Sequence, residues 1–290
     1  MTWLAPVSND DCESELKSRP MNNIIKGIFL SILIISSMPI NAQEKMKQNA
    51  LNAHQKSMAA IASLTAIGDL KLLKTELNGG LDAGLTVNEI KEALVQLYAY
   101  CGFPRSLNGI SNLMAVLEER KSKGLKTVEG KAGSVIKAYS DKYERGRLTL
   151  EELTKTTQRK PAPGFGDFAP RADAFLKEHL FADIFDNEVL NYRQREFITI
   201  SALAAMQGVE SQLQAHVSMG KNTGVTDAQL VELSDVIEKN ISRQQANVLR
   251  SIIGIPGVPI MDADMIVRIS EIEILPEHLE AYNAILKEES

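Results

Sequence analysis

Cysteine, tryptophan and aromatic residues in general are scarce in this chain. Its 290 residues include two cysteines and one tryptophan, and aromatic side chains make up 5%. Two cysteines cannot build a disulfide-rich scaffold, and they exclude a zinc ribbon as well. Basic residues are also in the minority, 32 against 37 acidic ones, so the formal net charge is −5. A nucleic-acid binder carries a basic face, and this composition therefore excludes a generic role in binding nucleic acid.

The remaining composition is that of a globular protein. Apolar residues make up 44% of the chain and charged residues 24%. This balance excludes a disordered chain, a collagen and a polytopic membrane protein, and the length favours one or two domains.

A short apolar run near the N-terminus predicts a secretory signal over residues 21–42. Lys26 precedes the run at 28–35, and Ile40-Asn41-Ala42 has the small-residue form of a cleavage site. The run is shorter than the ~20 residues that a transmembrane helix needs. We therefore expect cleavage after Ala42, a periplasmic or secreted protein, and no contact with the membrane after cleavage.

The residues ahead of this segment do not suit a signal peptide. They include four acidic side chains, at Asp10, Asp11, Glu13 and Glu15. We expect Met21 to be the true start and residues 1–20 to be a gene-model extension, the alternative being a cytoplasmic tail before a short anchor. The mature chain keeps Cys101 as its one thiol, so it has no intramolecular disulfide and depends on its core for stability.

Two stretches of the chain share one helical pattern about 140 residues apart. A motif of two glycines, an apolar residue and a threonine occurs at Gly80–Thr86 and again at Gly220–Thr226. Both threonines begin capping boxes, which Glu89 and Gln229 complete three residues later. Apolar positions ahead of the motif also correspond, Leu73 and Leu77 with Leu213 and Val217. Agreement of all these features at one offset predicts two copies of an all-helical unit, over residues 44–120 and 168–255.

The segment between the copies, residues 121–167, is predicted to be a linker that contains a helix. The pattern favours this helix over Ala132–Tyr143, whereas Lys160–Gly166 is rich in proline and glycine. Within the first copy, the helix that follows Thr86 is expected to break at Gly102-Phe103-Pro104.

The segments Gly84–Pro104 and Arg195–Thr226 resemble the carboxymuconolactone decarboxylase family, whose relatives include the alkylhydroperoxidase D proteins. The first segment is similar to the family signature, with Gly-Leu-Thr, then Glu-Ile, then Tyr-x-Gly-Phe-Pro. The resemblance extends over nearly all of residues 50–255. It implies an all-α fold of two tandem helical repeats that assemble into homo-oligomers, often trimers or hexamers.

The resemblance separates two kinds of chemistry. The peroxidase branch has the pattern Glu…Cys-x-x-Cys-x-x-x-His, and Glu196 and His216 match its Glu and His if one inserted residue is allowed. The two cysteine places hold Val209 and Gln212 instead. Without a thiolate there is no nucleophile for a peroxide oxygen, so dithiol peroxidase activity is disfavoured. Cys101 has no partner thiol and is expected to pack as a small hydrophobe.

The decarboxylase branch needs no thiol, and it implies cofactor-free acid/base chemistry on a small cyclic acid, lactone or quinone-like aromatic. Loss of CO2 requires a donor-rich place for the carboxylate or the developing enolate, and an acid that returns a proton to carbon. His216 is the expected acid/base, because histidine titrates near neutral pH. Glu196 is expected to orient the imidazole, and Arg195 to hold the substrate carboxylate.

Each copy carries only half of this pattern. The places of Arg195, Glu196 and His216 hold Lys56, Ser57 and Glu76 in the first copy. Conversely, the Tyr-x-Gly-Phe-Pro element is present at 100–104, and the second copy has Asn240-Ile-Ser-Arg-Gln in its place.

Two hypotheses follow from this division. Either one composite catalytic site combines the substrate-binding residues Tyr100 and Phe103 with His216, or the site has decayed. In the second case the protein binds a small aromatic beside Tyr98 without turnover, or serves in assembly. Burial of His216 beside Glu196 favours the enzyme, and a solvent-facing His216 favours the binding protein.

The sequence indicates no metal site and no other cofactor. His54, His179 and His278 match no ligand spacing and are expected at the surface.

The C-terminal residues 264–290 differ from the helical repeats. Met265–Ile274 is rich in β-branched residues, which alternate with polar ones along most of the segment, and this alternation predicts a strand. A helix is expected to follow, beginning at Leu275-Pro276-Glu277. One strand and one helix cannot bury their own faces. The segment resembles the opening of a ferredoxin-like antibiotic-biosynthesis or quinol monooxygenase domain. It is either truncated or an arm that docks on the helices or on a neighbouring chain.

Overall fold

The described part of the chain is α-helical, with no strand. The computed structural model describes residues 50–134, 138, 141–260 and 276–288. A π-helix, π1, covers Phe175–Ile184, and a 3-10 turn covers Pro276–His278. The α-helices in chain order are α1 Ala53–Ile67, α2 Leu70–Asp82, α3 Val87–Ser122, α4 Lys142–Thr154, α5 Phe165–Phe168, α6 Pro170–Ala174, α7 Tyr192–Ala205, α8 Glu210–Asn222, α9 Asp227–Asn240, α10 Arg243–Ile252 and α11 Leu279–Glu288.

Helices α1 and α7 are corresponding helices of the two copies and pack against each other. Each begins with a capping box, at Asn52 in α1 and at Asn191 in α7. Met58–Ala66 of α1 and Arg195–Ala205 of α7 are buried at every position. A helix that is buried on all sides is rich in small and apolar side chains, and these dominate both segments. The two charged residues of the α7 segment, Arg195 and Glu196, are each paired with a side chain of another helix. The all-α fold with two tandem repeats is therefore confirmed.

The repeated glycine–threonine motif ends one helix and begins the next in both copies. Gly84 and Gly224 have φ values of 98° and 100°, which favour glycine after a helix end. Gly80 and Gly220 sit at close helix approaches, because a Cβ on Gly80 would lie 2.7 Å from Leu85 and one on Gly220 would lie 2.7 Å from Ile200. The side chains of Thr86 and Thr226 then cap α3 and α9, as the sequence predicts.

Helices of the two copies pack on each other across the boundary between the copies. Helix α3 of the first copy packs on α7 of the second, and α9 of the second packs on α1 of the first. The first core cluster contains Ile198 and Ala202 of α7, and the second contains Ala59 of α1. Each copy therefore completes its core with side chains of the other, and any site on α3 is built beside α7.

Helix α3 bends at Gly102, where φ is 83° and ψ is 157°. Pro104 follows within the same turn, so the backbone hydrogen-bond ladder is interrupted where the sequence predicts a break. The bend separates the half of α3 that carries Tyr100 from the half that carries Phe103.

The linker helix lies later in the chain than the sequence pattern indicates. Ala132–Ser134 has no helical structure, residues 135–137 and 139–140 lie outside the described part, and α4 begins at Lys142. The prediction of a helix over Ala132–Tyr143 is therefore wrong in its start, because the Asp141 side chain caps the backbone N–H of Glu144. Helix α4 packs closely on π1, and a Cβ on Gly146 would overlap the carbonyl oxygen of Lys177.

The two ends of the chain are described only in part. The predicted signal segment and the predicted strand over Met265–Ile274 lie outside the described residues. The helix expected after Leu275 is present, as the 3-10 turn at Pro276–His278 followed by α11. Within the described residues, no helix combines the length and apolar character needed to cross a bilayer.

Candidate active site

Glu196 and His216 form a buried hydrogen-bonded pair between α7 and α8. The Nδ1 atom of His216 lies 2.7 Å from Oε2 of Glu196, the distance of a strong charge-assisted hydrogen bond. Glu196 is fully buried, whereas the His216 side chain keeps 9% of its surface exposed. Because Nδ1 is occupied by Glu196, Nε2 is the ring nitrogen left for a reacting group. The burial of His216 beside Glu196 is the arrangement that favours an enzyme over a binding protein.

Tyr100 reaches this pair from α3 of the other copy. Its ring meets the His216 ring edge-on, with the centroids 5.3 Å apart and the planes at 79°. The Tyr100 hydroxyl is buried and forms no hydrogen bond of full geometry with the described residues, although the Thr199 side chain lies near enough to lower its pKa slightly. Burial raises the pKa of Tyr100 far above its usual value, and the negative charge of Glu196 raises it further. The hydroxyl therefore stays protonated and is available as a hydrogen-bond donor.

A second buried atom of this cluster also lacks a partner. Oε1 of Glu196, the oxygen that does not contact His216, is buried without a hydrogen bond in the described part of the chain. Native proteins leave few buried polar atoms unpaired, and those that occur concentrate where a ligand, a water molecule or a reaction completes them. The unpaired Tyr100 hydroxyl and Glu196 carboxylate oxygen make this cluster the candidate functional site.

The Arg195 side chain is buried in an ion pair beside the cluster. It is 0% exposed, and its two terminal nitrogens donate to Glu92 Oε1 at 2.8 Å, Gln96 Oε1 at 2.9 Å and the Asn187 carbonyl at 2.7 Å. Burial lowers the pKa of Arg195 and raises that of Glu92, while their mutual attraction opposes both shifts. The structure thus assigns the guanidinium to an ion pair between the two copies. The role of Arg195 as carboxylate anchor stays a prediction: both terminal nitrogens are engaged in this interface, and Nε is buried without a hydrogen-bond partner among the described residues.

Gln96 joins the same interface. Its Nε2 atom donates to the Arg195 carbonyl and to the Thr199 hydroxyl, both at 2.9 Å. Gln96 and Glu92 are site residues that the sequence reasoning missed. The signal for them is their spacing, because Glu92, Gln96 and Tyr100 follow each other every four residues and so line one face of α3.

Phe103 lies beyond the α3 bend and is not among the rings that contact His216. It is 59% exposed and stacks on Tyr98, with the ring centroids 4.3 Å apart. Tyr98 in turn lies 5.5 Å from the His179 ring. The structure therefore brings Tyr100 to His216, as the composite hypothesis expects, and places Phe103 and Tyr98 in a separate surface group.

The other histidines lie outside the cluster. His179 is 46% exposed at its side chain and contacts Asp183 through Nδ1 at 3.2 Å. His278 is exposed, and His54 is half-buried with Nε2 3.5 Å from Glu89. Within the described residues, no group of three or more His, Cys, Asp or Glu side chains has the geometry to hold a metal ion.

Cys101 is a packing residue in this structure. Its Sγ atom donates to the Leu97 carbonyl at 3.2 Å, and the side chain packs on the first core cluster. Burial raises the pKa of the Cys101 thiol, so the reactive thiolate is disfavoured.

The first copy contains a counterpart of the cluster without its chemistry. Lys56 pairs with Glu232 at 2.9 Å, repeating the Arg195–Glu92 pair of the second copy. Ser57, Glu76 and Asn240 stand where the catalytic candidates stand, and all line an open cavity of about 420 Å³. The cation–carboxylate pair is thus present in both copies, whereas the histidine is present in one. This distribution is typical of a structural role for the ion pair.

The comparisons with known proteins agree with the fold and with the repeat. The model of the carboxymuconolactone decarboxylase family matches the chain twice, over residues 40–111 and 170–238. The chain belongs to this family through both regions, with one family unit in each of the two copies. No individual curated protein matches it.

Proposed function

We propose that the protein is an exported, cofactor-free acid/base enzyme that acts on a small cyclic acid or lactone, with decarboxylation as the reaction. The observation that carries the proposal is the buried Glu196–His216 hydrogen bond of 2.7 Å, set against the Tyr100 ring. The two family regions support decarboxylase-type chemistry, and the absence of cysteine at Val209 and Gln212 disfavours the dithiol route.

His216 supplies the proton that the reaction needs. When the bond between the ring carbon and the carboxylate breaks, its electron pair moves into an enolate and CO2 leaves. The protonated imidazole then gives its Nε2 proton to the carbon and becomes neutral, and it regains a proton from solvent through its exposed edge. The carboxylate of Glu196 accepts the hydrogen bond from Nδ1, which fixes the ring orientation and stabilises the charged imidazolium.

Tyr100 supplies the donor for the developing enolate oxygen. Its hydroxyl is protonated at neutral pH like that of any tyrosine, and burial raises its pKa further. It forms no hydrogen bond of full geometry with the described residues, so it is left to donate to a bound substrate. A donor fixed in a water-poor site stabilises developing negative charge more strongly than one in water, because it needs no reorientation during the reaction.

The test is turnover of a carboxylated muconolactone by the purified protein, followed by ultraviolet absorbance. His216→Ala is expected to lower kcat by roughly 10²–10⁴-fold, the usual contribution of a general acid/base. His179→Ala is the matched control, because His179 also contacts a carboxylate through Nδ1 but is exposed. Activity that survives in His216→Ala, or that is lost equally in His179→Ala, would overturn the assignment of the acid/base.

A second candidate function is non-catalytic binding of a small aromatic. The observation that favours it is the aromatic surface group, in which the exposed ring of Phe103 stacks on Tyr98 with the centroids 4.3 Å apart. Equilibrium binding of a small aromatic that requires Phe103, together with no turnover of the lactone acid, would favour this function over the enzyme.

A further inference from the structure

A second cavity lies between the two copies, separate from the His216 cluster. It has a volume of about 250 Å³ and is lined from the starts of α1 and α7, together with the start of α9. Met58 and Phe197 form part of its apolar wall. None of its lining residues belongs to the cluster of Tyr100, Glu196 and His216.

Corresponding residues of the two copies, His54 and Arg193, line this cavity, and the side chains that they contact differ in charge. In the first copy, Nε2 of His54 faces the carboxylate of Glu89 at 3.5 Å. In the second copy, Arg193 donates to the neutral amide oxygen of Gln229 at 2.7 Å. Exchange of the carboxylate for an amide leaves the Arg193 guanidinium without an ion-pair partner among the described residues.

One arginine and no aspartate or glutamate line the cavity, although the chain carries a net negative charge. This arginine, Arg193, is exposed to solvent, whereas His54, which also lines the cavity, faces the Glu89 carboxylate. The N-termini of α1 and α7 also meet here, and a helix N-terminus favours a nearby negative charge. Asn52 and Asn191 each cap one backbone N–H group here, at Gln55 and Gln194, and the Arg193 guanidinium is the charged donor that lines the cavity.

We propose that this cavity binds a small carboxylate with an apolar body, the Arg193 guanidinium holding the carboxylate and Met58 and Phe197 packing on the body. The volume suits such a molecule, because a cavity of about 150 Å³ already holds a benzene ring. The neutral amide of Gln229 allows the interaction, since it leaves the charge of Arg193 to the ligand. The site is a binding site distinct from the proposed catalytic one.

Calorimetric titration of the full chain with benzoate tests the proposal, with benzyl alcohol as the uncharged probe. Benzoate is expected to bind, and benzyl alcohol to bind roughly tenfold more weakly or worse. Gln229→Glu is expected to weaken benzoate binding by a similar factor, because it restores the carboxylate partner that the first copy has. This change keeps the cap of α9, since Glu89 completes the corresponding capping box with Thr86.

Two further variants separate this site from its alternatives. Glu89→Gln, the opposite exchange in the first copy, is expected not to weaken benzoate binding, and Arg193→Gln is expected to abolish it. His216→Ala is expected to leave benzoate affinity unchanged. Absence of benzoate binding in the unaltered chain, unchanged affinity in Gln229→Glu, or loss of binding in His216→Ala would each overturn the proposal.

Discussion

Replacement of Arg195 separates two roles for this residue, a structural one and a substrate-binding one. In the structure the guanidinium is 0% exposed and pairs with Glu92 at 2.8 Å, across the boundary between the copies. It also donates to Gln96 and to the carbonyl of Asn187. Arg195→Met keeps the length and apolar volume of the side chain but removes the charge and every donor.

The loss of stability follows from the groups that are left behind. Glu92 is only 12% exposed and loses its countercharge, and the Asn187 carbonyl and the buried Gln96 amide oxygen lose their donor. Breaking one side of a buried pair costs about 3–5 kcal/mol. Since each kcal/mol lowers Tm by about 2–4 °C in domains of about 150–250 residues, the variant is expected to melt roughly 6–20 °C lower.

Lys56→Met is the matched control for this prediction. Lys56 forms the corresponding pair with Glu232, but its side chain is 50% exposed. An exposed pair contributes about 1 kcal/mol or less, so this variant is expected to melt within a few degrees of the parent chain. Thermal unfolding followed by circular dichroism measures both. An Arg195→Met protein with unchanged Tm and an increased KM for the lactone acid would refute the structural role and restore the anchor that the sequence suggests.

Three further predictions rest on local features. Gly146→Ala is expected to lower the free energy of unfolding by at least about 2 kcal/mol, because the added Cβ overlaps the Lys177 carbonyl. Gly79→Ala is the control: its Cβ meets open space in α2, so the free energy of unfolding is expected to rise by about 0.5–1 kcal/mol. Denaturant titrations measure both. Tyr100 ionises near pH 10 in the unfolded chain but only at a much higher pH in the folded chain. The free energy of unfolding is therefore expected to fall as pH rises above about 10, and to fall less steeply in the Tyr100→Phe variant. The Cys101 thiol is expected to react slowly with a thiol reagent until the chain unfolds, and Cys101→Ala to keep full turnover.

Each of these predictions has a contradicting result. Equal unfolding curves for Gly146→Ala and Gly79→Ala would show that α4 and π1 do not approach as described. An alkaline stability profile that is unchanged in Tyr100→Phe would show that the hydroxyl is not buried. Rapid modification of Cys101 in the folded chain would show a reactive thiolate.

The repeat and its caps are readable from the sequence because they depend on local chemistry. Glycine is required where the chain turns with positive φ, as at Gly84 and Gly224, and threonine is preferred as a helix cap. These residues stand at a constant offset, so the two copies follow from the sequence without knowledge of the packing. The apolar pattern predicts too early a start for the linker helix, because that start depends on one side chain, Asp141, which the pattern does not reveal.

Only part of the candidate site can be predicted from the sequence, because the site is assembled from segments that lie far apart along the chain. The spacing of Glu196 and His216 is a motif within one copy, and the structure brings these side chains to 2.7 Å. The partner of Arg195 is Glu92, 103 positions away on a helix of the other copy, and no local pattern names it. Phe103 belongs to the same short element as Tyr100, but the bend at Gly102 sends the two side chains to different places.

The most direct test of the account is a double-mutant cycle on turnover between Tyr100 and His216. Both side chains belong to one proposed catalytic site built from two copies, with their ring centroids 5.3 Å apart. Residues that act together in one step show strongly non-additive losses, so Tyr100→Phe is expected to slow the parent enzyme but to cost little in a His216→Ala background. Losses in kcat/KM that multiply independently would contradict a shared site, and would leave the Glu196–His216 pair to act without the first copy.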